Sequence, residues 1–284
     1  MRRALLTLIL IATATAGCSR GGDSGAATAL TGTFALPGKA QTVDAKLLAT
    51  FGDGRDAQLD LSETQRPGGA LVTSYDTDMT KKLHMIVISD DLTTFQHVHP
   101  MLGADGHFTM HLKVPASGGY HVYADTVPHG DGQQVFRFDV PFGNTLSNTP
   151  DLSVTPATAH AGPYAVTLDK LKLDAGGTTM LTVHVTKNGK PAKDLASYLG
   201  GAAHAVFINA KDLSYLHVHP IQGNDAAAMG DMAMGDMKEL SDSAKVNPMM
   251  MLHVAAPSAG TYKLWLQFRG GGRLYVVPFV LTAA

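Results

Sequence analysis

The chain has 284 residues, with 24 acidic against 22 Lys and Arg side chains, thirteen histidines, one cysteine and a formal net charge of −2. That balance offers no basic field for nucleic acid. A single cysteine excludes an internal disulfide and any site built from several thiolates, so a metal would have to be held by His, Met, Asp or Glu.

Met1-Arg2-Arg3 is a short basic start, Ala4 to Ala16 is apolar or small, and Thr15-Ala16-Gly17-Cys18 closes the run. A basic start, a short apolar stretch and small residues before a cut make residues 1–17 a secretory signal. The run is too short to span a bilayer, and no later stretch reaches the roughly 18 apolar residues that a spanning helix needs. Ala-Gly-Cys resembles the lipobox of bacterial lipoproteins, with Thr15 where that family usually has Leu. The resemblance implies lipidation at Cys18, attachment to the membrane through that lipid anchor, and a place in the cell envelope on the periplasmic or extracellular face. Residues 18–29 read as a small, polar tether. The rest, about 255 residues, suits one large domain or two of ordinary size.

The chain then repeats itself once. His84 to Pro100 reads HMIVISDDLTTFQHVHP and His204 to Pro220 reads HAVFINAKDLSYLHVHP, at a constant offset of 120. Further on, His111 to Pro115 matches His253 to Pro257, and Gly118-Gly-Tyr120 matches Gly260-Thr-Tyr262, now at an offset of 142. The second copy therefore carries an insertion, the Met-rich segment 222–247. The expected organisation is module 1 over 30–142, a linker at 143–150, and module 2 over 151–284.

Strand signals dominate. Leu181, Val183 and Val185 alternate with Thr182, His184 and Thr186 before an Asn188-Gly189 turn, and Phe108, Met110, Leu112 and Val114 form an apolar face alternating with Thr109, His111 and Lys113. Asp105-Gly106, Asp131-Gly132 and Gly270-Gly271 mark hairpins, where positive φ is needed. Short strands at this spacing predict an all-β chain of two tandem immunoglobulin-like β-sandwich modules. Gly-x-Tyr at Tyr120 and at Tyr262 resembles the tyrosine corner of such folds.

Eight histidines occupy four repeat-related positions: His84 and His204, His97 and His217, His99 and His219, His111 and His253. Core packing alone does not select imidazole at the same four places twice. In a strand, His97 and His99 share a face, as do His217 and His219, so each pair is half a metal site. Neutral imidazole suits zinc and copper. A third histidine from a neighbouring strand, His84 or His111 in module 1 and His204 or His253 in module 2, would complete one site per module. His107, His121, His129, His160 and His184 have no such counterpart and read as surface residues. Met229, Met232, Met234 and Met237 form MGDMAMGDM among Gly and Asp. Their spacing resembles the methionine motifs of envelope copper transporters and oxidases, and soft thioether selects Cu(I).

His84 with Phe95-x-His-Val-His-Pro and the following Pro-x-x-Gly-x-Tyr strand resemble secreted bacterial proteins with immunoglobulin-like modules, broadly the YtkA-like group. The resemblance covers about residues 30–142 and 150–282 and implies an envelope module associated with copper or other heavy metals. The expected function is a metal-binding lipoprotein that buffers, sequesters or transfers metal to an envelope transport partner. Copper as Cu(I) or Cu(II) is the first expectation and zinc the second. The alternatives are a metal-free structural or interaction module and a His-ligated metalloenzyme. Against an enzyme, no HExxH, GxSxG or P-loop occurs.

Overall fold

The computed structural model describes residues 25–143, 149–153, 156–222 and 239–284. Module 1 contains β1 (Thr28–Thr31), β2 (Thr33–Phe34), β3 (Val43–Phe51), β4 (Asp56–Gln65), β5 (Leu83–Ser89), β6 (Phe95–Val98), β7 (Met101–Leu102), β8 (Phe108–Lys113), β9 (Gly118–Thr126) and β10 (Gln134–Phe142). Module 2 contains β11 (Thr158–Ala161), β12 (Tyr164–Leu168), β13 (Lys172–Leu173), β14 (Thr179–Lys187), β15 (Lys190–Pro191) and β16 (Leu195–Ala196). It continues with β17 (His204–Asn209), β18 (Tyr215–Val218), β19 (Ile221–Gln222), β20 (Met249–Val254), β21 (Gly260–Gly270) and β22 (Arg273–Ala283). The described residues contain no helix, and the fold is two tandem immunoglobulin-like β-sandwiches.

Each module has an outer and an inner sheet. The outer sheets run β1-β3-β4-β8-β7 and β11-β12-β14-β20-β19, with β15 beside β14. The inner sheets run β2-β10-β9-β5-β6 and β13-β22-β21-β17-β18, with β16 beside β21. Period-two alternation supplies each core: Val43, Ala45, Leu47 and Ala49 of β3 face Val122, Phe136 and Phe138 in module 1, while Leu181, Val183 and Val185 of β14 face Leu264, Phe268 and Phe279 in module 2. Asn188 and Gly189 take φ of 50° and 76°, the left-handed pair that a tight hairpin between β14 and β15 requires. Between β21 and β22 the turn sits at Gly271 and Gly272, φ 55° and 78°, one residue beyond the expected Gly270-Gly271. Tyr120 donates to the carbonyl of Ala116 at 2.8 Å and Tyr262 to that of Ser258 at 2.9 Å, the same corner bond in both modules.

The inner strands β5 and β17 are buried on both faces. Met85 and Val87 point into the core of module 1, and Ala205 and Phe207 into that of module 2. The opposite rows, Ile86 and Ile88 against Val206 and Ile208, form a third core between the modules with Tyr123, Tyr215 and Trp265. Two aromatic stacks close it: Phe95 on Trp265 at 5.2 Å and Tyr215 on Tyr123 at 5.0 Å. Phe95 is the repeat counterpart of Tyr215, and Tyr123 that of Trp265. The modules thus meet through equivalent faces around an approximate two-fold axis, as subunits do in an isologous dimer.

Candidate metal centre

Strand parity aims the histidines at that axis. His84 begins β5 in the same row as Ile86 and Ile88, and His204 begins β17 in the row of Val206 and Ile208. On the neighbouring edge strands, His97 pairs with Ile86 and His217 with Val206, so these rings share the interface face. His99 and His219 follow two residues later, on the same side, before Pro100 and Pro220. The structure therefore collects six histidines into one cluster between the modules. The two separate sites expected from the sequence are not formed, because the faces carrying the histidines are the faces that dock.

Four rings make the centre. His84, His97, His204 and His217 each present a nitrogen within 4.8 Å of the other three. Within module 1, His84 Nδ1 lies 2.8 Å from His97 Nε2; within module 2, His204 Nδ1 lies 3.1 Å from His217 Nε2. The outer nitrogens define the tautomers. His84 Nε2–H donates to the carbonyl of Asp78 at 2.8 Å, and His204 Nε2–H to that of Tyr198 at 2.9 Å. A carbonyl only accepts, so Nδ1 of both neutral rings carries a bare lone pair. His97 Nδ1–H donates to Gln267 Oε1 at 2.7 Å, which leaves its Nε2 bare as well. His217 Nδ1 lies 3.5 Å from the Asp125 carboxylate. Two bare lone pairs at 2.8 Å repel unless a cation lies between them.

Burial depresses every one of these imidazoles, and the neighbouring histidine charges push His97, His99, His204 and His217 down further. His99 falls to about 3 and His219 to about 4, each chiefly through desolvation. The rings are therefore neutral at pH 7 and ready to ligate. His99 and His219 flank the four, with ring centroids 5.1 Å from His84 and 4.6 Å from His204 respectively. Both carry a buried Nε2 without a hydrogen-bond partner. A buried polar atom left unsatisfied is costly, and this one recurs at the same place in both copies. The donor set and these orphaned nitrogens fit a metal ion.

Module 1 adds buried acid. Asp125 on β9 receives Tyr215 Oη at 3.0 Å and Gln133 Nε2 at 2.9 Å, and burial raises it to about 7. Glu63 on β4 receives the Thr126 hydroxyl at 2.9 Å and is likewise raised to about 7 by burial. Asp125 and Gln267, which no motif marks, occupy equivalent positions opposite His84 and His204. The available signal was a pair of polar residues at the 142 offset inside otherwise apolar strands.

His111 and His253 are a correction. Both lie on outer-sheet strands, β8 and β20, between core residues that point the other way. The His111 side chain is 61% exposed and lies 3.4 Å from Asp56. His107, His121 and His129 pair instead with Asp60, Asp139 and Asp76. Met229, Met232, Met234, Met237 and Cys18 lie outside the described residues.

A family model described as "Domain of unknown function (DUF8832)" matches residues 38–143 and again 158–284. The chain belongs to this family and carries its domain twice. No curated protein matches. Among solved structures, a Salmonella alpha-2-macroglobulin point mutant is similar at 12% identity and a TM-score of 0.23, covering 92% of this chain and 19% of that one. Salmonella alpha-2-macroglobulin reacted with methylamine gives 13% identity and a TM-score of 0.22, covering 88% and 15%. The chain spans less than a fifth of the length of either.

Proposed function

We propose that the chain is a metal-binding protein of the cell envelope whose two modules jointly build one all-histidine centre. The observation that carries this reading is the set of four buried imidazole nitrogens, two from each module, within 4.8 Å of one another. Imidazole without thiolate or an inner carboxylate suits copper and zinc and disfavours calcium and magnesium. Full ligation by four rings leaves no open position for a substrate, which favours storage or transfer over turnover. The N-terminal signal and Cys18 support an anchored protein outside the cytoplasm, and MGDMAMGDM supports copper as the metal met there. The test is a titration of the full mature chain with Zn(II) and, under reducing anaerobic conditions, Cu(I). Saturable Zn(II) binding that is lost from a variant lacking His84, His97, His204 and His217, together with a lowered Cu(I) capacity, is expected. A chain indifferent to both metals would leave the histidines as a polar interface and overturn the reading.

A further inference from the structure

The centroids of the four central rings carry more than the presence of a site. Their six separations are 5.1 Å for His84–His97, 5.3 Å for His204–His217, 5.9 Å for His84–His204, 5.0 Å for His84–His217, 5.5 Å for His97–His204 and 5.3 Å for His97–His217. An ion about 2.0–2.1 Å from a ring nitrogen lies about 3.2 Å from that ring's centroid. A tetrahedron then places all centroids about 5.2 Å apart, whereas a square plane gives four at about 4.5 Å and two at about 6.4 Å. The observed set has no such split. The donor nitrogens within each module lie closer together, at 2.8 Å and 3.1 Å, than the about 3.3 Å edge of a regular tetrahedron, so the four rings outline a tetrahedron shortened along its two within-module edges, with two vertices from each module.

Resting on the reading of this cluster as a metal centre, we infer that it takes a single tetrahedral ion with a filled d shell, Zn(II) or Cu(I), bound by Nδ1 of His84 and His204 and Nε2 of His97 and His217. Cu(II) prefers a square or tetragonal field, which the cage does not offer. The backbone carbonyls of Asp78 and Tyr198 and the side chain of Gln267 hold the outer nitrogens of three rings, so flattening the cage would break bonds on both modules. The tetrahedron is closed only when the modules are docked, because each supplies two of its four corners. His99 and His219 stand outside it, each against the rings of its own module.

Co(II) reports the geometry directly, since tetrahedral Co(II) absorbs far more strongly in the visible than octahedral Co(II), and thioethers of the Met-rich segment compete poorly for it. Titration of the full mature chain should give intense tetrahedral bands that saturate at one equivalent and disappear on addition of one equivalent of Zn(II). Cu(I) should displace Co(II) likewise under reducing conditions, and Cu(II), which outcompetes Co(II) at nitrogen sites in general, should give the spectrum of a site distorted towards the tetrahedron rather than of a square plane. His97→Ala with His217→Ala, which leaves two of the four corners, should abolish the tetrahedral bands, and His99→Ala with His219→Ala should retain them, with circular dichroism confirming that each variant is folded. Weak octahedral bands, two equivalents per chain, or a square-planar Cu(II) spectrum would each overturn the tetrahedral assignment while leaving metal binding intact. No binding of any of these ions would overturn it together with the function on which it rests.

Discussion

The two modules share a frame but not a chemistry. His84, His97 and His99 have counterparts in His204, His217 and His219, and the carbonyls of Asp78 and Tyr198 hold equivalent rings. Beyond that first layer the copies diverge. Module 2 presents the neutral amide of Gln267 to His97, whereas module 1 presents the Asp125 carboxylate to His217. Glu63, buried on β4, stands where β14 carries Val185. The difference teaches that the inward histidines are tied to the docking symmetry, since each face must meet its equivalent, while the residues behind them are free to differ. One half of the centre is backed by buried acid and the other by an amide and hydrocarbon.

Acid should break the shared frame first. The six histidines are neutral in the fold, with His99 at about 3 and His219 at about 4, whereas unfolded imidazoles titrate near 6.5. The unfolded chain then binds more protons than the folded one between about pH 6.5 and pH 4, so stability falls as the pH falls through that window. Glu63 and Asp125, raised to about 7, act in the opposite sense between pH 7 and pH 4, but they are two groups against six. Each unmatched group contributes about 1.4 kcal/mol per pH unit, which is large against a domain's total stability. The metal-free chain should unfold before pH 4 by circular dichroism; an unchanged melting temperature from pH 7 to pH 4 would contradict neutral buried rings.

The acid of module 1 sharpens the contrast. Glu63 has a folded pKa above its unfolded value, so its charged form costs stability above about pH 7, and that cost fades as the pH falls towards 4.5. Glu63→Gln should stabilise the chain by about 1–3 kcal/mol at pH 8 and by little at pH 5. Denaturant midpoints at the two pH values check this, and a loss of stability at pH 8 would run against it. Asp125→Asn should weaken Zn(II) binding about 10–100-fold, because it removes the carboxylate behind His217. Gln267→Ala should weaken it less, and competition against a chelator would expose the reverse order. The smallest effect falls where the modules agree: Tyr120→Phe and Tyr262→Phe should each cost about 1 kcal/mol. Markedly unequal losses in thermal melts would show that the corner bond is not equivalent in the two copies.

Much of this was legible in the sequence. Period two in Leu181, Val183 and Val185 identifies a half-buried strand, and the HVHP repeat with its upstream histidine marks the six residues that meet. The docking was harder to read. The run from His84 to Ser89 is continuously buried, and such a run signals a strand covered on both sides without saying what covers it. Spacing likewise places His111 on the polar face of β8 but does not reveal that β8 joins the outer sheet, on the far side of the core from β6. Expecting one site per module followed from treating each repeat as complete in itself. The two-fold contact makes each half a ligand set for the other.

The most direct measurement of the shared centre is the Zn(II) stoichiometry of two double variants, His97→Ala with His99→Ala and His217→Ala with His219→Ala, beside the unaltered chain. The shared centre requires one tightly bound equivalent in the unaltered chain and none in either variant, although each keeps three histidines of the cluster in the other module. Two equivalents in the unaltered chain, with one surviving in each variant, would mean that the modules bind metal separately and would contradict the account.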